Sequence, residues 1–98
     1  MPAPDAQLTA AQRRVRAVRR QALAAALVAA RQSAGLTQTE LAEAASMSRS
    51  AVARLEAGDA GIASDRLWDI CVALGLRPSA FFQLAEADVD AAETLGDA

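Results

Sequence analysis

The 98-residue sequence has no histidine, no lysine and no tyrosine, a single cysteine, one tryptophan and two phenylalanines. Without histidine, metal centres and imidazole general bases lose their commonest ligand and base. Glu40 and Glu43 stand three apart, but Glu40 is accounted for as a helix cap, so no catalytic residue, metal site or cofactor is expected. A lone Cys71 between Trp68 and Leu74 has no partner for an internal disulfide and reads as a small core residue of a reducing, cytoplasmic compartment. No lysine or histidine lies near to activate it. No apolar run reaches the roughly 18 residues that cross a bilayer. The stretch Gln21–Ala30 is apolar and preceded by arginines, but Arg31 and Gln32 follow it directly, as at a helix end and not a signal-cleavage site. The arginine-bearing segment lacks Trp, Phe or Ile, which argues against a membrane-surface helix.

Alanine fills much of the chain, with 27 residues. It is the strongest helix former, and Val and Ile are too few for a sheet, so the expectation is one all-α domain. Net charge is −2, but it is unevenly spread: residues 1–57 carry eight arginines and four acids, residues 58–98 two arginines and eight acids. That asymmetry predicts a basic working face and an acidic distal end.

Residues 1–8, with two prolines, are expected to be disordered. Thr9 and Gln12 have capping-box spacing and open a first helix running to about residue 34, with Leu23, Leu27, Ala30 and Ala34 facing the core. Val15, Val18, Ala22, Ala25 and Ala29 form a second apolar stripe, free for a second subunit or another partner. Gly35 stops that helix. Thr37 and Glu40 form another capping box, opening helix two. A turn, "SMS", leads to Ser48 as the cap of helix three, in which Val52 and Leu55 point inward and Arg49, Ser50, Ala53 and Arg54 outward. Gly58 closes it. Ser64 is expected to cap helix four, with Leu67, Ile70, Cys71 and Leu74 inside, and Pro78 or Ser79 to begin helix five. Leu76, Phe81 and Phe82 should seal the core, with Trp68 inside it as well. From residue 85 an acidic tail follows; Val89, Ala92 and Leu95 have loose helical spacing and could make a contact helix, with Val89 and Leu95 as further partner contacts.

Two short helices joined by a tight turn can hold the second away from the body, and one helix fits the major groove of B-DNA. Arginine makes the commonest base contact there, bidentate to guanine, while helix N-termini accept phosphates. Gln38, Thr37 and Ser48 to Ser50 sit at such N-termini. Over about residues 22–83 the chain resembles the Cro/repressor (Cro/C1-type, XRE) helix-turn-helix family. The resemblance is carried by Arg31, "GLTQ" at Gly35–Gln38, "ELA" at Glu40–Ala42, "SRSAVARLE" at Ser48–Glu56, Gly58 and "ALGL" at Ala73–Leu76.

The resemblance implies a compact, lambda-repressor-like five-helix domain with helix three in the major groove; with its N-terminally extended first helix the domain is expected to span residues 9–84. It implies base contacts from Arg49, Ser50 and Arg54, and phosphate contact from Gln38. It also implies a structural ion pair between Arg31 and Glu56. Arg13, Arg14, Arg16, Arg19 and Arg20 precede the family segment; a phosphate clamp, a solvated face or a docking surface are all open for them. Ser46 stands where the family often has Gly, and Ala57 where it often has Asn. The expected function is a sequence-specific, dimeric DNA-binding regulator, most readily a repressor of a near-palindromic operator. The competing expectation is an antitoxin or phage-type regulator whose main work is capturing a toxin or antirepressor.

Overall fold

The computed structural model describes residues 7–96. The expected disorder of residues 1–8 therefore falls largely outside the described residues. Those described form six helices: α1 (Ala10–Ser33), α2 (Gln38–Ala44), α3 (Arg49–Glu56), α4 (Ser64–Leu74), α5 (Pro78–Glu86) and α6 (Val89–Gly96). The all-α class holds, with one helix more than the five expected.

α1 is the spine against which α3, α5 and α6 pack. Its first turn closes as the spacing predicts: Gln12 N donates to Thr9 Oγ1 over 3.1 Å, and Thr9 N donates to Gln12 Oε1 over 2.8 Å. Its inward side is mostly alanine, with Ala22, Ala24, Ala26 and Ala30 buried around Leu27. Methyl-sized side chains let neighbouring helices come close, so the bulk of the core is supplied by the partners. Leu41, Val52, Ile70, Cys71 and Phe81 meet Leu27 there, all wholly buried. Each such side chain contributes about 1.5–3 kcal/mol on leaving water. Burial pushes the Cys71 thiol up, as suits an inert core residue.

Four details differ from expectation. α4 has Ala63, not Ser64, at its N-cap, with no side-chain bond. Trp68 and Phe82 are exposed, at 63% and 45%, so neither is core. Ala34 is also exposed, because α1 ends before it. The stretch expected as an acidic tail carries the end of α5 and then α6. The composition of α6 argues for solvent, yet it is anchored from far along the chain: Arg19 donates from Nε to Thr94 Oγ1 over 2.8 Å and from Nη2 to Thr94 O over 3.1 Å. Asp88 caps it by accepting from Ala91 N over 2.9 Å. No helix among the described residues is long and apolar enough to cross a membrane.

Candidate nucleic-acid interface

α2 begins with the reciprocal box predicted from sequence: Glu40 N donates to Thr37 Oγ1 over 3.1 Å and Thr37 N to Glu40 Oε1 over 2.9 Å. The Thr37 backbone N–H, and then its side chain, hold the Glu40 carboxyl below the usual carboxylate range. Glu40 is thus employed in holding the start of α2.

The turn after α2 is made at Ser46, whose φ of +56° is the only positive value among the described non-glycine residues. Met47 N returns to Ala42 O over 2.8 Å, closing the helix end. Arg66 of α4 supports the same turn, donating from Nη1 to Ser46 O over 3.2 Å. An L-residue pays roughly 1–2 kcal/mol in this left-handed region. Ser46→Gly is therefore expected to raise unfolding free energy by about 0.5–1 kcal/mol, after allowing for glycine's freer unfolded chain. Urea denaturation checks it; an unchanged or lower midpoint would mean that Ser46 is not strained.

Beyond the turn, Ser48 Oγ accepts from Ala51 N over 3.0 Å and starts α3. Val52 and Leu55 fix its inner side in the core. Ser48, Arg49, Ser50, Arg54 and Ala57 are exposed on the other side, with Ala53 half-buried among them. Neither Arg49 nor Arg54 has a side-chain hydrogen bond or ion pair among the described residues. Their guanidinium groups stand in solvent.

The far end of α3 is held by a cluster of polar contacts. Arg31 donates from Nε to Glu56 Oε2 over 2.6 Å, from Nη2 to Glu56 Oε1 over 3.1 Å, and from Nη1 to Leu36 O over 2.7 Å. The hydrogen bonds to Glu56 raise the Arg31 pKa still further above its ordinary value. Gln38 Nε2 adds a 3.1 Å bond to Glu56 Oε1. One carboxylate thus joins the end of α1, the start of α2 and the end of α3. Gln21 of α1 reaches Ala57 O over 3.4 Å just past α3.

Thr37, Gln38, Ser48, Arg49, Ser50 and Arg54 are thus gathered on the α2–turn–α3 unit, whereas Arg13, Arg14, Arg16 and Arg20 lie on the first half of α1. Arg13 donates to Leu8 O over 2.6 Å. Arg14 is exposed, and Arg16 and Arg20 are half-buried. Of the outer stripe on α1, Val15 and Val18 are half-buried, Ala22 is covered by the chain itself and Ala25 is exposed; Val89 and Leu95 of α6 are exposed too. Sequence reasoning missed the Gln38–Glu56 bond, the Arg66 brace and the Arg19–Thr94 clasp. Each joins residues at least 18 apart, so no local spacing signals it.

The model of the helix-turn-helix family matches residues 27–81, more than half of the chain. Two solved structures are similar over most of their length. A crystal structure of the clp gene regulator ClgR from Corynebacterium glutamicum is 35% identical, covering 72% of this chain and 92% of that one, with a TM-score of 0.69. A second structure of that regulator is 34% identical, covering 81% of this chain and 83% of that one, also with a TM-score of 0.69. No curated protein matches.

Proposed function

The chain belongs to the helix-turn-helix family of DNA-binding transcription regulators, and we propose that it is a cytoplasmic, sequence-specific repressor that grips a near-palindromic operator as a dimer. The observation that carries this reading is the outward side of α3: two arginines without partners among the described residues, on a helix whose other side is locked into the core. In this reading α3 enters the major groove. Arg49, Ser50 and Arg54 meet base edges, while Thr37, Gln38 and Ser48 hold phosphates at the starts of α2 and α3. The first half of α1, with Arg13, Arg14, Arg16 and Arg20, supplies further positive charge near the backbone. Both similar structures are of one clp gene regulator, which supports a regulatory role here.

A dimer places two α3 helices about 34 Å apart, one turn of DNA. Phe82, Leu84, Val89 and Leu95 expose apolar surface at the α5–α6 end, which suits either a second copy or a different protein such as a toxin or antirepressor. Sedimentation of the isolated protein separates the two: a dimer assigns the face to self-association, and a monomer assigns it to another partner.

Binding to duplex DNA is measured by anisotropy at stated salt, on a selected site and on random sequence. Affinity for both is expected to fall steeply as salt rises. Arg49→Ala is expected to lose roughly 1–3 kcal/mol of preference for the selected site while its thermal unfolding is unchanged. A protein that grips no duplex at low ionic strength would sink the proposal.

A further inference from the structure

We infer that α3 reads guanine on both strands of each operator half-site, one guanine through Arg49 and the other through Arg54, and uses no amide contact to adenine. This rests on the reading of α3 as the DNA-reading helix and names the bases that helix selects.

The inference comes from how side chains are distributed around α3. Successive residues are about 100° apart around the axis, so Arg49 and Arg54 stand about 140° apart. They form the two edges of the outward arc. Between them lie Ser50, Ala53 and Ala57, all small. A helix about 10–12 Å across its side chains only just fits a major groove about 12 Å wide. Small residues at the centre of the arc let the backbone approach the groove floor. The long side chains at the edges then reach to either side, each toward a different strand.

The chemistry of the arc is one-sided. Arginine presents donors only, and guanine's major-groove edge presents two acceptors, N7 and O6. Adenine offers one acceptor and one donor, so a guanidinium satisfies half of it at most. The outward arc holds no Asn, Gln, Asp or Glu. Glu56 is turned inward onto Arg31, and Gln38 of α2, the amide next to α3, is drawn back onto Glu56. The Ala53 and Ala57 methyls leave room for a thymine methyl between the arginines. Arg49 and Arg54 are about 7.5 Å apart along the axis, which is about two base-pair steps of 3.4 Å.

The test begins with duplexes selected from random sequence by the full chain at fixed salt. Each guanine of the selected half-site is then replaced singly by 7-deazaguanine, which removes the N7 acceptor. The half-site is expected to hold two guanines on opposite strands, about two base pairs apart. Each replacement should weaken wild-type binding at least about fivefold. One replacement should cost nothing further in Arg49→Ala, and the other nothing further in Arg54→Ala. Both side chains are exposed, so the variants keep the fold, which circular dichroism confirms. Selected sites without guanine, replacement costs that persist unchanged in both arginine variants, or a required adenine that is lost in Gln38→Ala would each overturn the inference while leaving DNA binding standing. Failure to bind any duplex overturns both together.

Discussion

Arg31→Ala is expected to lower the unfolding free energy by about 2–3 kcal/mol, toward the cost of breaking a buried ion pair from one side. An exposed pair would cost about 0–1 kcal/mol, so burial decides between the two. The side chains of Arg31 and Glu56 keep only 14% and 6% of their exposure, and the guanidinium meets both carboxylate oxygens. Truncating Arg31 leaves the half-buried Glu56 charge with Gln38 Nε2 as its one remaining side-chain donor among the described residues, and strips Leu36 O of its bond as well. A domain of this kind has about 5–15 kcal/mol in all, so the variant should keep its fold with a visibly smaller margin. Urea denaturation followed by circular dichroism measures the loss; a cost below about 1 kcal/mol would mean that water reaches the carboxylate. A paired replacement, Arg31→Met with Glu56→Leu, sharpens the test. Removing both charges should recover most of the stability, since buried pairs are often matched by apolar residues of like volume. It also removes the acceptor that orients Gln38. Recovered stability with weaker DNA binding would thus separate the pair's part in folding from its part in holding the start of α2.

The parts of this protein that were legible in its sequence are those fixed by neighbours. Capping boxes are contacts across three residues, so Thr9 with Gln12 and Thr37 with Glu40 announce where α1 and α2 begin. Gly35, Gly58 and Gly75 follow helix ends with φ of +73°, +77° and +70°, where a side chain would be strained. The outward set on α3 follows from helical periodicity alone. What stayed hidden depends on distant residues. α6 reads as an acidic tail because the clasp that holds it lies 75 residues away, on Arg19. The Gln38–Glu56 bond is hidden in the same way, because nothing near Gln38 shows that a carboxylate 18 residues on will take one of its amide hydrogens. Residue type misplaces Trp68: a tryptophan suggests the interior, but Leu67, Ile70 and Cys71 already define the inner stripe of α4, and Trp68 falls outside it. Where type and periodicity conflict on an amphipathic helix, periodicity decides.

Phe81 and Phe82 put that rule to a direct test. Their sequence environment is the same, and both were expected to seal the core. In the structure Phe81 is wholly buried, whereas Phe82 keeps 45% of its exposure and meets its neighbour edge-on, with ring centroids 6.1 Å apart. Phe81→Ala should cost about 3–5 kcal/mol, combining lost transfer energy with a cavity among residues too tightly packed to close it. Phe82→Ala leaves no sealed void, because the space it vacates opens to solvent, and should cost no more than about 1–1.5 kcal/mol for the edge contact and the area lost. Thermal unfolding of the two variants under one buffer reads the difference, which for a domain of this size is a gap on the order of 10 °C or more. Neither residue lies on the outward side of α3, so DNA selectivity measured below both unfolding transitions should be unchanged. Equal losses in the two variants would show that α5 buries both rings. A shift in selectivity from either one would show that packing at α5 reaches the reading helix through α1, the element both of them touch.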